Sequence, residues 1–339
     1  MIESIVFMFQ SSIVRPSMVV AAACALTGVA GCSSETDANV APVGQSSAPL
    51  IQAPLDTDHP FDVGICHGTL NTDGTCTTPG KVARCSGTLV APNLVLTARH
   101  CVNQVVYPAS DSPYCAGHFT SDPTKPGGTH VTTAPSVKVG SPAWIDVERV
   151  ITSSSDDSSC DGDVALLVLS QDIDDVKPVR WVDLRTDLRE HPPCDRRVAI
   201  VGRGVINYAL DPTTLAPVGV DDGNLMRRIL RDIPFVCAGA SCSAEDITSP
   251  PSDVQQLTAG TFLVAPSGLP GDSGSGVLSN IDLDSRSTVI GVSTANTWAH
   301  TGQTSGGMAV RLAPHARWIA EAVFQAAKEG AYRVPAWAY

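Results

Sequence analysis

Cys85 and Cys101 enclose a stretch, CSGTLVAPNLVLTARHC, that has few ways to fold. Its two apolar runs, around Leu89–Val90 and Leu94–Leu96, are each too short for a helix. A Pro92-Asn93 turn separates them, so a β-hairpin is expected. A disulfide between the two cysteines would staple the ends of that hairpin, stabilising it by about 3 kcal/mol in the chain-entropy model. The staple would also hold His100 at a strand end, where its imidazole keeps one orientation.

The whole chain is consistent with such a unit. It has 339 residues, of which 43% are apolar, enough to bury a core and to exclude wholesale disorder. The 28 glycines and 25 prolines, with few long helical stretches, point to a turn-rich β protein. The formal net charge of −12 argues against a nucleic-acid partner, which needs a dense Lys/Arg surface. There are 11 cysteines but no CxxC pair and no HExxH, so disulfides in an exported protein fit better than a metal site.

The N-terminal region agrees with export. Met18–Ala30 is an unbroken run of apolar and small residues behind Arg15, and as a helix it would rise about 20 Å, too short to span a bilayer. Residues 1–31 therefore read as a signal peptide, with Met8 an alternative start. Val29-Ala30-Gly31-Cys32 resembles the bacterial lipobox, which implies cleavage before Cys32 and lipidation of its thiol. The expected location is then the bacterial cell envelope, with the membrane as a partner through that lipid. Ordinary cleavage with secretion, or an uncleaved anchor helix reaching back through Ile5–Phe9, remain open. Residues 32–60, rich in Ser, Ala, Pro and Asp and without aromatics, read as a disordered tether.

Two further motifs stand far along the chain. Asp161-Gly162-Asp163 precedes Val164–Leu169, a short apolar strand, and a carboxylate at the mouth of that strand can accept a bond from a histidine Nδ1. Taken alone, it reads equally as a polar turn before a buried strand. Gly268-Leu269-Pro270-Gly271-Asp272-Ser273-Gly274-Ser275-Gly276 surrounds one serine with glycines. Such a turn can aim amides outward at a negative oxygen forming on an attacked carbonyl, here the amides of Gly271 and Ser273.

Together the three motifs resemble the chymotrypsin-like (trypsin-fold) serine proteases, with TA-x-HC, D-[IV]-A-L-L and GDSG in that family's order. The resemblance spans residues 80–325 and implies His100 as general base, Asp163 as the group that orients it and Ser273 as nucleophile. It implies an all-β fold: two antiparallel six-stranded β-barrels, about 61–170 and 194–312, with a C-terminal α-helix. Residues 171–191 would be the crossing linker. After Pro314, Ile319, Val323 and Ala327 share one helical face and Gly330 can end the helix, leaving 331–339 as a tail. An α/β-hydrolase is excluded, because position 275 is Ser where Gly-x-Ser-x-Gly needs Gly, and His precedes Ser.

By the same resemblance Ser267 lies at the base of the primary specificity pocket. Ser293, Thr294 and Ala295 line it and pair with the substrate backbone, and Gly307 forms a wall. A hydroxyl at position 267 cannot offset a Lys or Arg charge, so an uncharged residue is expected before the cut bond. The expected activity is a serine endopeptidase acting on polypeptides without a cofactor or metal. A non-catalytic peptide- or surface-binding protein on this fold, or an esterase using the same triad, are the alternatives. Nothing in the sequence fixes the oligomeric state.

Some positions depart from the family. No basic-residue–Ile-Val-Gly-Gly cleavage site stands between Cys32 and Cys85, so Asp272, which in many members pairs with a released amine, needs another partner or an unrecognised cut. Arg99 replaces the usual Ala, and a cation there would lower the pKa of His100, an effect that exposure mutes. Local pairing suggests Cys66–Cys76, Cys115–Cys160 and Cys237–Cys242 with Cys194 left over; Cys66–Cys194 is equally legal. Asp156, Asp157, Asp161 and Asp163 read as a solvated acidic turn rather than a calcium loop.

Overall fold

The computed structural model describes residues 53–77, 84–109, 114–120, 128–138, 142–152, 158–204, 207–210, 217–220, 225–239, 242, 257–264, 272–298 and 304–339. All lie in one compact unit, Ala41–Tyr339. The expected signal segment, Cys32, Asp156, Asp157, Ser267 and Gly271 fall outside the described residues.

Six strands close the first barrel. β1 (Asp62–His67) pairs antiparallel with β2 (Arg84–Ala91), which turns back into β3 (Leu94–Thr97) with Leu89 opposite Val95. The ring continues through β6 (Ala165–Leu169), β5 (Ile145–Thr152) and β4 (Thr129–Thr132), and β4 returns to β1. All five residues of β6 are buried, as its uninterrupted apolar sequence requires, because the C-terminal helix packs on it outside the barrel.

The second barrel is also antiparallel. Its ring runs β7 (Arg197–Gly202), β8 (Arg228–Ala238), β9 (Thr261–Val264), β12 (Thr304–Arg311), β11 (Thr288–Trp298) and β10 (Gly276–Ser279), with β10 returning to β7. Its core packs Val198, Ile200, Phe235, Val277 and Ile290 around Phe262, whose ring stacks on Phe235 at 5.5 Å. The linker contributes a short parallel addition, Trp181–Val182, on β11.

Helix α1 (Ala316–Glu329) follows Pro314 and buries Ile319, Ala322, Val323, Ala326 and Ala327 on one face. The segment beyond it is not loose: Trp337 and Ala338 are buried in the first core, and the Tyr332 hydroxyl donates to Asn93 Oδ1 at 2.8 Å.

Two expectations are corrected here. Residues 53–60, expected in the tether, are docked on the second barrel. The Ile229 N–H donates to the Pro54 carbonyl at 3.1 Å, the Asp56 N–H to the Arg227 carbonyl at 2.9 Å, and Ala53, Asp56 and His59 are buried. Backbone groups supplied by a distant strand satisfy a stretch whose own composition could not order it. Disulfides join Cys66–Cys76, Cys85–Cys101, Cys115–Cys160 and Cys237–Cys242, which removes the Cys66–Cys194 alternative. Cys194 is itself disulfide-bonded, so it is not the leftover thiol.

Candidate active site

His100 sits in a single 3-10 turn, Arg99–Cys101, directly after β3, and the Cys85–Cys101 disulfide ties that turn to the start of β2. Asp163 precedes β6, whose Ala165 lies opposite Thr97 of β3, so adjacent strands deliver the two side chains to the same end of the barrel. The Cys115–Cys160 disulfide and the Asp163 N–H to Cys160 carbonyl bond brace the acid's loop.

The contact between them is close. His100 Nδ1 lies 2.7 Å from Asp163 Oδ2, and the His100 backbone N–H donates to Asp163 Oδ1 at 2.8 Å. The Thr294 hydroxyl donates to Asp163 Oδ2 from the other barrel. The Asp163 side chain is fully buried, while 16% of the His100 side chain remains exposed. Burial alone would raise the Asp163 pKa, but the His100 charge and the donors from His100 and Thr294 overcome it and hold the acid below its ordinary value. Burial pulls His100 down, and the Asp163 charge and hydrogen bond reverse that, leaving the imidazole above its ordinary value. An imidazole with Nδ1–H fixed on a carboxylate presents Nε2 as the acceptor.

Ser273 reaches the same place from the second barrel. Its carbonyl accepts the Ser86 N–H at 2.8 Å and lies 3.7 Å from Cys101 Sγ, which is 3.9 Å from His100 Nε2. Serine and histidine therefore abut the same disulfide. Ser273 Oγ donates to the Thr294 carbonyl at 3.4 Å, and the described hydrogen bonds include none from it to His100. Catalytic hydrogen bonds of this kind often tighten only once substrate is bound.

The turn around the serine has one dominant constraint. Gly274 has φ +85°, and a Cβ there would fall 2.1 Å from Thr97 Oγ1 and 2.2 Å from the Ser86 carbonyl oxygen. The Gly274 N–H donates to the Ser293 carbonyl and the Ser275 N–H to the Asp272 carbonyl. Among the described residues the Ser273 N–H makes no hydrogen bond, which leaves it available as an oxyanion donor.

The expected substrate-side residues separate into two groups. Both backbone groups of Ser293 are engaged, its carbonyl by Gly274 and its N–H by Ser275, so Ser293 belongs to the scaffold. Thr294 and Ala295 follow it on β11, and Gly307 of β12 is opposite Asn296. Thr294 carries more than the sequence indicated, holding Asp163 with its hydroxyl and Ser273 with its carbonyl.

The expected lowering of the His100 pKa is outweighed by Asp163, and Arg99 packs elsewhere. It is buried, with its guanidinium 4.4 Å from the centre of the Phe119 ring, and the His100 pKa is raised rather than lowered. Of the acidic turn, Asp161 and Asp163 are described, and each faces its own partner. Asp161 Oδ1 accepts the Thr258 hydroxyl and the Gly260 N–H, and Asp163 faces His100. Sulfurs of Cys85 and Cys101 cluster with His100, but they are bonded to each other and offer no thiolate.

The sequence profile of the trypsin family matches residues 72–319. Among solved structures, the chain is similar to the scabies mite inactivated protease paralogue S-D1, with a TM-score of 0.52 and 16% identity over 81% of this chain and 97% of that one. The scabies mite inactivated protease paralogue S-I1 matches with a TM-score of 0.52 and 16% identity over 80% of this chain and 99% of that one. At that identity the likeness shows the fold alone. No curated protein matches the chain.

Proposed function

Because the chain belongs to the trypsin family, we propose that it is a serine endopeptidase in which Ser273 attacks a peptide carbonyl and His100 accepts its proton. The observation that carries this reading is the Asp163–His100 pair at 2.7 Å, with Ser273 held beside it on the Gly274 turn. His100 Nε2 takes the Ser273 proton as the Oγ–carbon bond forms, and Asp163 stabilises the imidazolium that results. The negative charge moves to the former carbonyl oxygen, within reach of the Ser273 N–H and, by resemblance, that of Gly271. His100 then returns the proton to the departing amine, and water hydrolyses the acyl-enzyme by the same route.

On the substrate side, by the same resemblance, Ser267 and Gly307 favour an uncharged residue before the scissile bond, and the Thr294 carbonyl accepts a substrate N–H. We infer export from the sequence; no helix among the described residues is long and apolar enough to cross a membrane.

The second reading, a non-catalytic binding protein, draws on the inactivated paralogues that share the fold. Against it, the residues of all three roles are present in this chain and two of them are in direct contact. A fluorophosphonate probe decides between them. Labelling of the wild type and its loss in Ser273→Ala support the peptidase; no labelling of either supports the binding protein.

A further inference from the structure

The carboxylate next to the nucleophile is buried, and what holds it leads across the molecule. Asp272 is 1% exposed, and its Oδ1 accepts the Gly204 N–H at 2.7 Å. Contact there is so close that a Cβ on Gly202 or Gly204 would fall 2.2 or 2.5 Å from a carboxylate oxygen. Position and charge at Asp272 bear directly on Ser273, because the Ser273 N–H follows it in the chain.

Gly204 is in turn placed by its neighbour. Arg203 leaves the second barrel at the end of β7 and runs into the first. Its Nε donates to Asp62 Oδ1 at 3.1 Å, Nη2 to the Asp62 carbonyl at 2.9 Å and Nη1 to the Ala134 carbonyl. The Arg203 N–H donates to Ser86 Oγ at 3.1 Å, while the Ser86 N–H holds the Ser273 carbonyl. One buried arginine thus fixes the peptide that grips Asp272 against the strand that grips Ser273.

This ion pair is a poor device for stability. Burial pushes Asp62 up to about 7 and Arg203 down to about 10, so desolvation outweighs their mutual attraction. Its guanidinium fork, meeting a carboxylate and two carbonyls, is better suited to fixing geometry.

These bonds are made with residues 53–64 continuous. Asp62 follows the docked segment without a break: its N–H donates to the His59 carbonyl at 3.1 Å, and Asp56 bonds both His59 and Arg227. Freeing an amine near Asp62 would require peeling that segment from Arg227, Arg228 and Ile229.

Resting on the peptidase reading above, we propose that Asp62 and Arg203 are positioning residues for the nucleophile loop, acting through Gly204 and Asp272, and that the chain uncut through residues 53–64 is the active form. The test uses the full chain as isolated. Fluorophosphonate labelling is read by intact mass beside N-terminal sequencing, and kcat and KM are measured on a peptide amide for wild type, Arg203→Lys and Ser86→Ala. Thermal melting counts the folded fraction of each.

Molecules continuous through residues 53–64 should label at Ser273. Folded Arg203→Lys, which keeps the charge but loses the fork, should lose about tenfold or more in kcat with KM within about twofold. Ser86→Ala, which removes only the hydroxyl that accepts the Arg203 N–H, should lose about threefold to tenfold in kcat in its folded fraction. If folded Arg203→Lys keeps the wild-type kcat, or if only molecules cut between residues 53 and 64 are labelled, the proposal is overturned while the peptidase reading stands. Absence of labelling in cut and uncut molecules alike overturns both.

Discussion

Among the described hydrogen bonds, three meet the Asp163 carboxylate: two from His100 and one from Thr294. The third has no local signature. Thr294 is 131 residues from its partner, and a one-residue step along a strand reverses the face a side chain presents. His100, Asp163 and Ser273 were legible because each stands in its own short motif; the Thr294 hydroxyl and the burial of Arg99 needed the assembled barrels. Thr294→Val should therefore lower kcat about tenfold to a hundredfold with little change in KM, since a hydrogen bond to a charged group is worth about 1.5–3 kcal/mol. Steady-state kinetics on a peptide amide would measure it.

The pH dependence follows from the same pair. Below a pH of 6.5, the ordinary histidine value, the charged His100 contributes stability through Asp163, and that contribution is lost as pH rises through its higher folded value. Asp163 contributes above 3.8, and its contribution is lost as pH falls through its lower folded value. On the peptidase reading, the reaction needs neutral His100, so kcat/KM should climb with pH through a midpoint above 6.5. A profile with its rise below that value would contradict the Asp163–His100 contact.

Among the elements, the β2–β3 hairpin was the most readable. Its turn, its two apolar runs and its terminal cysteines lie within one stretch, and the observed register puts Leu89 opposite Val95 as such a hairpin requires. The docked segment 53–60 was not readable, because its hydrogen-bond partners belong to Arg227, Arg228 and Ile229, far along the chain. The end of the chain misleads for a similar reason: Trp337 finds its cover in the first core rather than in its own neighbours. Replacing both Cys85 and Cys101 by Ala should cost about 3 kcal/mol in the chain-entropy model. Denaturant unfolding would show the loss. Activity per folded molecule should fall as well, because the turn carrying His100 and the contact with the Ser273 carbonyl both rest on that disulfide.

The molecule as a whole is a device for bringing two barrels' ends together. The first supplies His100 and Asp163, the second Ser273 and Thr294. Ties cross between them at Ser86 to Ser273, at Arg203 to Asp62 and at Asp161 to Gly260. Order along the chain announced the barrels, since the three motifs stand in the family's sequence; the crossing ties did not, since each joins residues without a shared motif. Every step of the account requires that Ser273 in this setting be a nucleophile. Intact mass after treatment with a fluorophosphonate measures that directly. One probe per folded molecule is expected, located on Ser273 and absent from Ser273→Ala. A folded wild-type protein that takes up no probe at a pH where His100 is neutral would contradict it.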